Sequence, residues 1–252
     1  MMPLLDLSGV VAGYGAGDVL KGVDLSVPEH SVTCLIGPNG AGKSTVLKAV
    51  SGLIRADRGR IAFRGEEIGA LPPRERLVRG IVHVPQERSL FPAMTVWDNL
   101  LMGAYLLRDA KVVAQRLERA VAAFPICARR AGTHAGALSG GEQKQVELAR
   151  TLILEPALIL LDEPSIGLDP RSRRVVFDSV RALAAAGRTI LLVEQNARSG
   201  LAAADTGVVL DAGTVRLSAP AADLLHDPAV GRLYLGGGAA AAPAAGREPS
   251  NE

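Results

Sequence analysis

The chain has 252 residues, of which 48% are hydrophobic, and a formal net charge of +2 at pH 7. A chain of this length and composition can bury a sizeable core, as one large α/β domain or as a domain with an appended subdomain. The near balance of charge and the scarcity of aromatic residues, 3% of the chain, argue against a nucleic-acid-binding surface.

The sequence also indicates the cellular compartment in which the protein is expected. Cys34 and Cys127 lie far apart among apolar residues, which predicts two buried free thiols and no disulfide. The N-terminus lacks the basic and apolar regions of a signal peptide, and no apolar run is long enough to span a bilayer. We therefore expect a cytoplasmic protein that reaches a membrane only through a partner.

The first elements predicted are two strands, over residues 4–12 and 23–27. Apolar and polar residues alternate there, with turns expected at 13–17 and near Gly22. Tyr14 falls in the intervening turn. It is either a half-buried loop tyrosine or a platform on which a nucleotide base stacks, and its spacing alone favours the first reading.

A predicted strand over residues 32–36 leads into a glycine-rich loop and then a helix that ends near Gly52. The loop fits the phosphate-binding pattern G-x-x-x-x-G-K-[ST], and the strand–loop–helix context argues against a chance match. Its glycines let backbone N–H groups point at a polyphosphate, where the helix N-terminus adds partial positive charge. We expect Lys43 to reach the β- and γ-phosphates and Ser44 to ligate Mg²⁺. The loop comprises Gly37, Pro38, Asn39, Gly40, Ala41, Gly42, Lys43, Ser44 and Thr45.

Short strands are predicted over residues 60–63, 66–68 and 81–84, with a helix from Pro73 to near Gly80. Gln86 comes just after the last of these strands. A side chain there either reaches the metal or water of a bound nucleotide or lies on the surface.

Residues 87–155 interrupt the β/α pattern and predict a helical subdomain. Thr95 and Asp98 have the spacing of a capping box, with a helix following to about residue 107 and a second over 110–124. An apolar cluster at the entrance is either subdomain core or a docking surface for a partner. The cluster consists of Phe91, Pro92, Met94 and Trp97.

Ser139 and Glu142 form a second predicted capping box, at the start of a helix that runs to about residue 153. Gly140 and Gly141 are poor residues for a helix that only has to pack. They suit a helix start whose backbone must approach a phosphate closely.

A continuous apolar run over residues 157–161 predicts a central parallel strand buried on both faces. It ends in Asp162 and Glu163, at the edge of the sheet where α/β folds place ligands. We expect Asp162 to hold Mg²⁺ through its coordination shell and Glu163 to orient or deprotonate the attacking water.

The rest of the chain continues the β/α pattern. The predicted elements are a helix over 171–186 that ends at Gly187, a strand over 189–193, a helix over 197–204, a hairpin over 208–217 and one or two helices over 220–235. Residues 236–252 are rich in glycine, alanine and proline and then polar, which predicts a disordered tail.

Taken together, residues 4–235 resemble the ATP-binding subunit of an ABC transporter. The matching segments are the Walker A loop at 37–45, Gln86 as the Q-loop, the LSGGE signature at 138–142, the Walker B strand at 158–162 with Glu163, and Asp169 as the D-loop. The resemblance implies an α/β fold: a P-loop NTPase core with a parallel sheet, an N-terminal antiparallel β subdomain and an inserted α-helical subdomain. It also implies that Tyr14 stacks on the nucleotide base. This replaces the half-buried loop tyrosine that the spacing alone favours.

Four shorter segments look like the branched-chain amino acid importers, and in particular like the second of their two paired ATPases. They are VPQ at 84–86, FPAMTV at 91–96, SIGL at 165–168 and LVEQNA at 192–197. Importers of urea or of other amides and amino acids are the alternative. Most ABC ATPases carry a histidine where this chain has Gln195. A glutamine donates a hydrogen bond but carries no positive charge, although in this branch it looks like a usual variant.

By resemblance, two such subunits close head to tail around ATP and Mg²⁺. The resemblance implies that Lys43, Glu163 and Gln195 are catalytic, that Ser44, Gln86 and Asp162 hold the metal, and that Ser139, Gly140 and Gly141 complete the partner's site. Expected partners are integral-membrane permease subunits, a second ATP-binding subunit (a heterodimer, with a homodimer as the alternative) and, indirectly, a periplasmic or extracellular solute-binding protein, but no nucleic acid. The expected location is the cytoplasmic face of the membrane. A subunit that mainly clamps ATP while its partner hydrolyses is the competing hypothesis, motivated by Gln195.

Overall fold

A computed structural model describes residues 3–15, 17–87, 89–228 and 230–231. The strands are β1 (Leu5–Tyr14), β2 (Gly17–Val27), β3 (Val32–Ile36), β4 (Arg58–Phe63), β5 (Glu66–Glu67), β6 (Ile81–Val84), β7 (Leu158–Asp162), β8 (Thr189–Val193), β9 (Thr206–Asp211) and β10 (Thr214–Pro220). The helices are α1 (Lys43–Ser51), α2 (Pro73–Val78), α3 (Val96–Gly103), α4 (Ala110–Ala123), α5 (Ile126–Arg129), α6 (Gly140–Leu152), α7 (Pro170–Ala185), α8 (Ala197–Ala202) and α9 (Ala221–His226), with a 3₁₀ turn over Ala135–Ala137.

Two sheets organise the fold. The larger has the strand order β10-β9-β3-β8-β7-β6 and is parallel except for β10, whereas the smaller, β2-β1-β4-β5, is antiparallel. All five residues of β3, β7 and β8 are buried, as expected for central strands covered on both faces. The carboxyl ends of β3, β6 and β7 share one edge of the sheet, so the residues that follow them in sequence converge.

The core has two parts, one on each face of the parallel sheet. Because successive side chains of a strand point to opposite faces, Leu160 packs toward the antiparallel sheet and α1, and Leu161 packs toward the helices α3 to α8. This arrangement confirms the predicted fold class. Between residues 96 and 152 the regular elements are all helices, joined by loops, in agreement with the predicted helical subdomain. The limits of that subdomain remain a prediction.

The N-terminal prediction needs three corrections. Tyr14 is the last residue of β1 and not a turn residue, and β2 begins at Gly17 instead of residue 23. The predicted turn at Gly22 is wrong: Val10 pairs with Val23 and Val11 with Lys21. Gly22, with φ +90°, is therefore the extra residue of a β-bulge, which strengthens the local twist without ending the strand.

Several helix predictions are also corrected. Helix α3 ends at Gly103 and not near 107, and α5 and the 3₁₀ turn were not predicted. The capping box at Thr95 is half formed. Thr95 Oγ1 accepts from Asp98 N, but the Asp98 carboxylate bonds to the Thr95 hydroxyl instead of its backbone N–H.

At the C-terminal end, α8 stops at Ala202 and the β9–β10 hairpin is longer than predicted. The last described helix covers Ala221–His226. The predicted helix toward residue 235 falls largely, and the tail at 236–252 entirely, outside the described residues. Both cysteines are buried free thiols, as predicted. Within the described ranges, no helix combines the length and apolar character that crossing a bilayer requires.

Candidate active site

The glycine loop joins the end of β3 to the start of α1 through a backbone that only glycine fits at two points. A Cβ on Gly37 would lie 2.0 Å from Leu210 O. Gly42 caps α1 at φ +102° and provides no side-chain hydrogen bond to the helix. The N–H groups of the first helical turn therefore have no side-chain cap, an arrangement that favours an anion at this point.

Lys43 is held against this loop. Its Nζ donates to Gly37 O at 2.9 Å and to Pro38 O at 3.0 Å, and the residue is buried. Burial lowers the pKa of Lys43, while the charges of Glu163 and Asp162 oppose that shift. The ammonium therefore lies in the field of both carboxylates.

Asp162 ends β7 directly beside the loop. Its Oδ1 accepts a 2.9 Å hydrogen bond from Ser44 Oγ. Burial raises the pKa of Asp162, and the Ser44 hydrogen bond and the charges of Lys48 and Lys43 oppose the rise.

A hydroxyl and a carboxylate are the hard oxygen donors that suit Mg²⁺. In the part of the chain that the structure describes, no cluster of three or more His, Cys, Asp or Glu residues could hold a metal by itself. Ser44 and Asp162 thus fit a magnesium ion that takes its remaining ligands from phosphates and water.

Glu163 and Gln86 meet across the ends of two adjacent strands. Gln86 Nε2 donates to Glu163 Oε2 at 3.3 Å, although 77 positions separate the two residues in the chain. Burial raises the pKa of Glu163, Lys43 opposes the rise and Asp162 adds to it. A carboxylate with a raised proton affinity is the better general base.

These side chains surround one cavity of about 450 Å³. Gln195, which is exposed, and Tyr14, which is half-exposed, lie on its wall, and the Lys48 ammonium stands 5.5 Å from the Tyr14 ring centroid. The lining residues are Tyr14, Val19, Asn39, Gly40, Gly42, Lys43, Ser44, Thr45, Gln86, Glu163, Ile166 and Gln195. Most residues predicted for this chain's own site thus gather in one place, with Asp162 behind Ser44.

The signature residues lie elsewhere. Ser139, Gly140 and Gly141 start α6 and do not line that cavity. The predicted capping box is present, since Ser139 Oγ accepts from Glu142 N and Glu142 Oε2 accepts from Ser139 N. The glycines also have a packing reason that the sequence did not reveal: a Cβ on Gly141 would lie 2.5 Å from Ser172 Oγ.

Hydrogen bonds that the sequence did not predict link the Gln86 loop to α6. Ser89 N donates to Glu147 Oε1 at 2.7 Å, and Arg150 donates to Ser89 O at 3.0 Å and to Ser89 Oγ at 2.7 Å. Glu147 is buried and also pairs with Lys144. These partners lie 58 and 61 positions away from Ser89, so no local pattern could have indicated them.

Together, this fold and the loop geometry define a P-loop nucleotide-binding protein of the α/β class. The family described as ABC transporter matches residues 20–166. The chain belongs to that family, as an ATPase subunit.

Individual relatives agree with this assignment. The chain is 37% identical over 234 residues to the high-affinity branched-chain amino acid transport ATP-binding protein BraG of Pseudomonas aeruginosa, covering 93% of this chain and 100% of the relative. It is 36% identical over 238 residues to the lipopolysaccharide export system ATP-binding protein LptB of Haemophilus influenzae. That match covers 93% of this chain and 98% of the relative. Its fold superposes on the ADP conformation of an ATP-binding cassette of an ABC transporter with a TM-score of 0.85 at 30% identity, covering 94% and 100%.

Proposed function

We propose that this chain powers the uptake of branched-chain amino acids through partner permease subunits at the cytoplasmic face of a membrane. The observation that carries the proposal is the 37% identity to BraG across that relative's full length. The VPQ, FPAMTV, SIGL and LVEQNA segments, which resemble the same group of importers, support it.

The proposed mechanism is an in-line attack of water on the γ-phosphate of ATP, helped by positioning and charge neutralisation. Lys43 and the N–H groups of the loop hold the phosphates, and Glu163, oriented by Gln86, accepts the proton of the attacking water. Gln195 donates a hydrogen bond from the cavity wall toward the γ-phosphate. Tyr14 stacks on the base. A bound Mg²⁺ would neutralise phosphate charge; Ser44, Asp162 and Gln86 are the residues that would hold it.

A second ATP-binding subunit completes the site in this proposal. At the start of α6, Ser139 is exposed and Gly140 is half-buried, away from this chain's own cavity. In this proposal they contact nucleotide held by a partner, together with the backbone of the buried Gly141. We propose a heterodimer, because Gln195 in place of the usual histidine suits a pair whose two sites differ. In the competing version, this chain clamps ATP and its partner's site hydrolyses.

The proposed permease surface lies beside the Gln86 loop. Phe91, Trp97, Met102 and Tyr105 are 45%, 40%, 42% and 64% exposed. Phe91, Met102 and Tyr105 line a groove of about 540 Å³ together with Ser89 and Arg150. Trp97 belongs to α3, the helix that carries Met102. Because Ser89 bonds to α6, docking in this groove would reach both the Gln86 loop and the signature helix. A solute-binding protein would act on the far side of the permeases.

The second candidate function is lipopolysaccharide export, since LptB is as similar to this chain as the amino acid transport proteins are. Uptake of urea or of another amide is a further alternative.

The test is ATP-dependent uptake of labelled leucine, isoleucine and valine by proteoliposomes that hold this chain with its co-purifying permeases. We expect uptake that is lost in Glu163→Gln. Urea uptake alone, or lipopolysaccharide release alone, would assign the alternatives. Single-turnover hydrolysis followed separately in each site distinguishes a hydrolysing subunit from a clamp, and equal rates exclude the clamp.

A further inference from the structure

Glu163 has a backbone conformation that its surroundings must enforce. Its φ of +44° lies in the left-handed region, which few residues other than glycine adopt. Pro164 follows it, and a proline favours an extended conformation in the residue before it. A strained conformation of this kind persists only where neighbouring contacts hold it.

The carboxyl end of β8 supplies those contacts on both sides of Pro164. Glu163 N donates to Val193 O at 2.9 Å. The next residue, Glu194, accepts at Oε1 from Ser165 N at 3.2 Å and at Oε2 from Ser165 Oγ at 3.0 Å. Glu194 is 2% exposed and Ser165 is 4% exposed, so water does not compete for these hydrogen bonds.

We propose that Glu194 is a positioning residue for ATP hydrolysis: by clamping Ser165 it holds the carboxylate of Glu163 toward the nucleotide cavity. The proposal rests on the role of Glu163 as the base. Glu194 does not line the cavity that contains Lys43; it lines a neighbouring one of about 350 Å³ together with Glu163 and Ser165. Its effect on the reaction is therefore indirect, and its two hydrogen bonds to Ser165 direct that effect to the Glu163 segment.

A purely structural role predicts different behaviour. If Glu194 only stabilised the loop after β7, its loss would lower thermal stability and nucleotide affinity along with the rate. A positioning role predicts a lower kcat at nearly unchanged KM. The positioning role needs two hydrogen bonds to Ser165 but not a negative charge. A glutamine at position 194 can accept from Ser165 N and donate to Ser165 Oγ, so it should keep this role.

The experiment measures steady-state ATP hydrolysis by the assembled transporter with Glu194→Ala, Glu194→Gln and Ser165→Ala. Ser179→Ala is the matched control, because Ser179 is a half-buried serine of α7 whose hydroxyl donates to Val175 O in the same helix. We expect Glu194→Ala and Ser165→Ala to lower kcat about tenfold with KM within about twofold, because small misplacements of a catalytic group are costly. The kcat of Glu194→Gln should lie within about threefold of the wild-type value. The kcat of Ser179→Ala should equal the wild-type value.

Each variant is also made in the Glu163→Gln background and followed by single-turnover hydrolysis. If Glu194 acts through Glu163, Glu194→Ala lowers the residual rate there by less than about twofold. The proposal is overturned if Glu194→Ala lowers the hydrolysis rate by the same factor in the wild-type and the Glu163→Gln backgrounds. It is also overturned if Glu194→Ala and Ser165→Ala both keep the wild-type kcat. Full activity of Glu163→Gln itself would instead overturn the proposed function. Ser165→Ala keeps the test decisive if Glu194→Ala does not fold.

Discussion

Ser44 Oγ and Asp162 Oδ1 lie 2.9 Å apart and join the first turn of α1 to the end of β7 across 118 positions of the chain. This hydrogen bond places the hydroxyl and the carboxylate proposed as magnesium ligands on one spot at the edge of the parallel sheet. It also opposes the effect of burial on the pKa of Asp162.

The first prediction concerns this pair. Asp162→Asn keeps the size of the side chain but removes its charge, so magnesium-dependent ATP binding should weaken by about 10- to 100-fold. Calorimetric titration with ATP, with and without Mg²⁺, measures the difference. Asp178→Asn, which changes an exposed carboxylate of α7, should bind as the wild type does. An unchanged magnesium dependence in Asp162→Asn would contradict the metal assignment.

The second prediction concerns Arg76, which is 2% exposed. Its guanidinium donates to the carbonyls of Ala49 and Val50 at the end of α1 and to those of Gly69 and Leu71. Arg76→Met leaves these carbonyls without their donor, so the free energy of unfolding should fall by about 3 kcal/mol. Urea denaturation measures this loss. Arg74→Met, at an exposed position of the same helix, should cost less than about 0.5 kcal/mol.

The third prediction concerns the contact between α6 and α7. In Gly141→Ala the new methyl group would lie 2.5 Å from Ser172 Oγ and 2.6 Å from Ser172 Cβ, so the two helix starts must separate. We expect a loss of about 1–3 kcal/mol of stability together with reduced ATPase activity. Combining Gly141→Ala with Ser172→Gly should restore part of the stability and part of the ATPase activity. The second change removes the Ser172 Cβ and Oγ atoms that the new methyl group would meet. Gly132→Ala, where a Cβ has open space, serves as the control, and a fully stable Gly141→Ala would show that the packing reason is wrong.

The fourth prediction concerns pH. Burial, with Glu163 nearby, raises the pKa of Glu194 from its ordinary 4.5 to about 7, against the hydrogen bonds from Ser165. Between those two values the folded chain holds a proton that the unfolded chain has released, so this group lowers stability as pH rises from about 4.5 to about 7.

Glu194→Gln has no such proton to lose. At pH 8 we expect its free energy of unfolding to exceed that of the wild type by about 2 kcal/mol. This difference should shrink as the pH falls toward 4.5. Urea denaturation of both proteins at pH 5, 6.5 and 8 provides the comparison. Parallel stability curves would mean that Glu194 ionises at its ordinary pKa in the folded state.

Much of the fold could be predicted because its signals are local. An apolar run such as Leu158–Asp162 specifies a buried strand, and Ser139 with Glu142 specifies a helix start, whatever the rest of the chain does. The errors came where tertiary contacts outweigh local pattern. Gly22 looks like a turn residue in sequence, but pairing with β1 on both sides of it makes it a bulge.

The sequence by itself determined the class of protein, the fold and the order of the nucleotide-binding motifs, because the glycine loop, the capping residues and the strand-end acids are short contiguous patterns. Only the tertiary structure decided which distant residues support them. Arg76 under the end of α1, Ser172 against Gly141, and Glu194 clamping Ser165 are contacts between residues 26 to 31 positions apart. The physical reason is that such contacts depend on how elements pack in space, which hydrophobic periodicity along the chain does not encode.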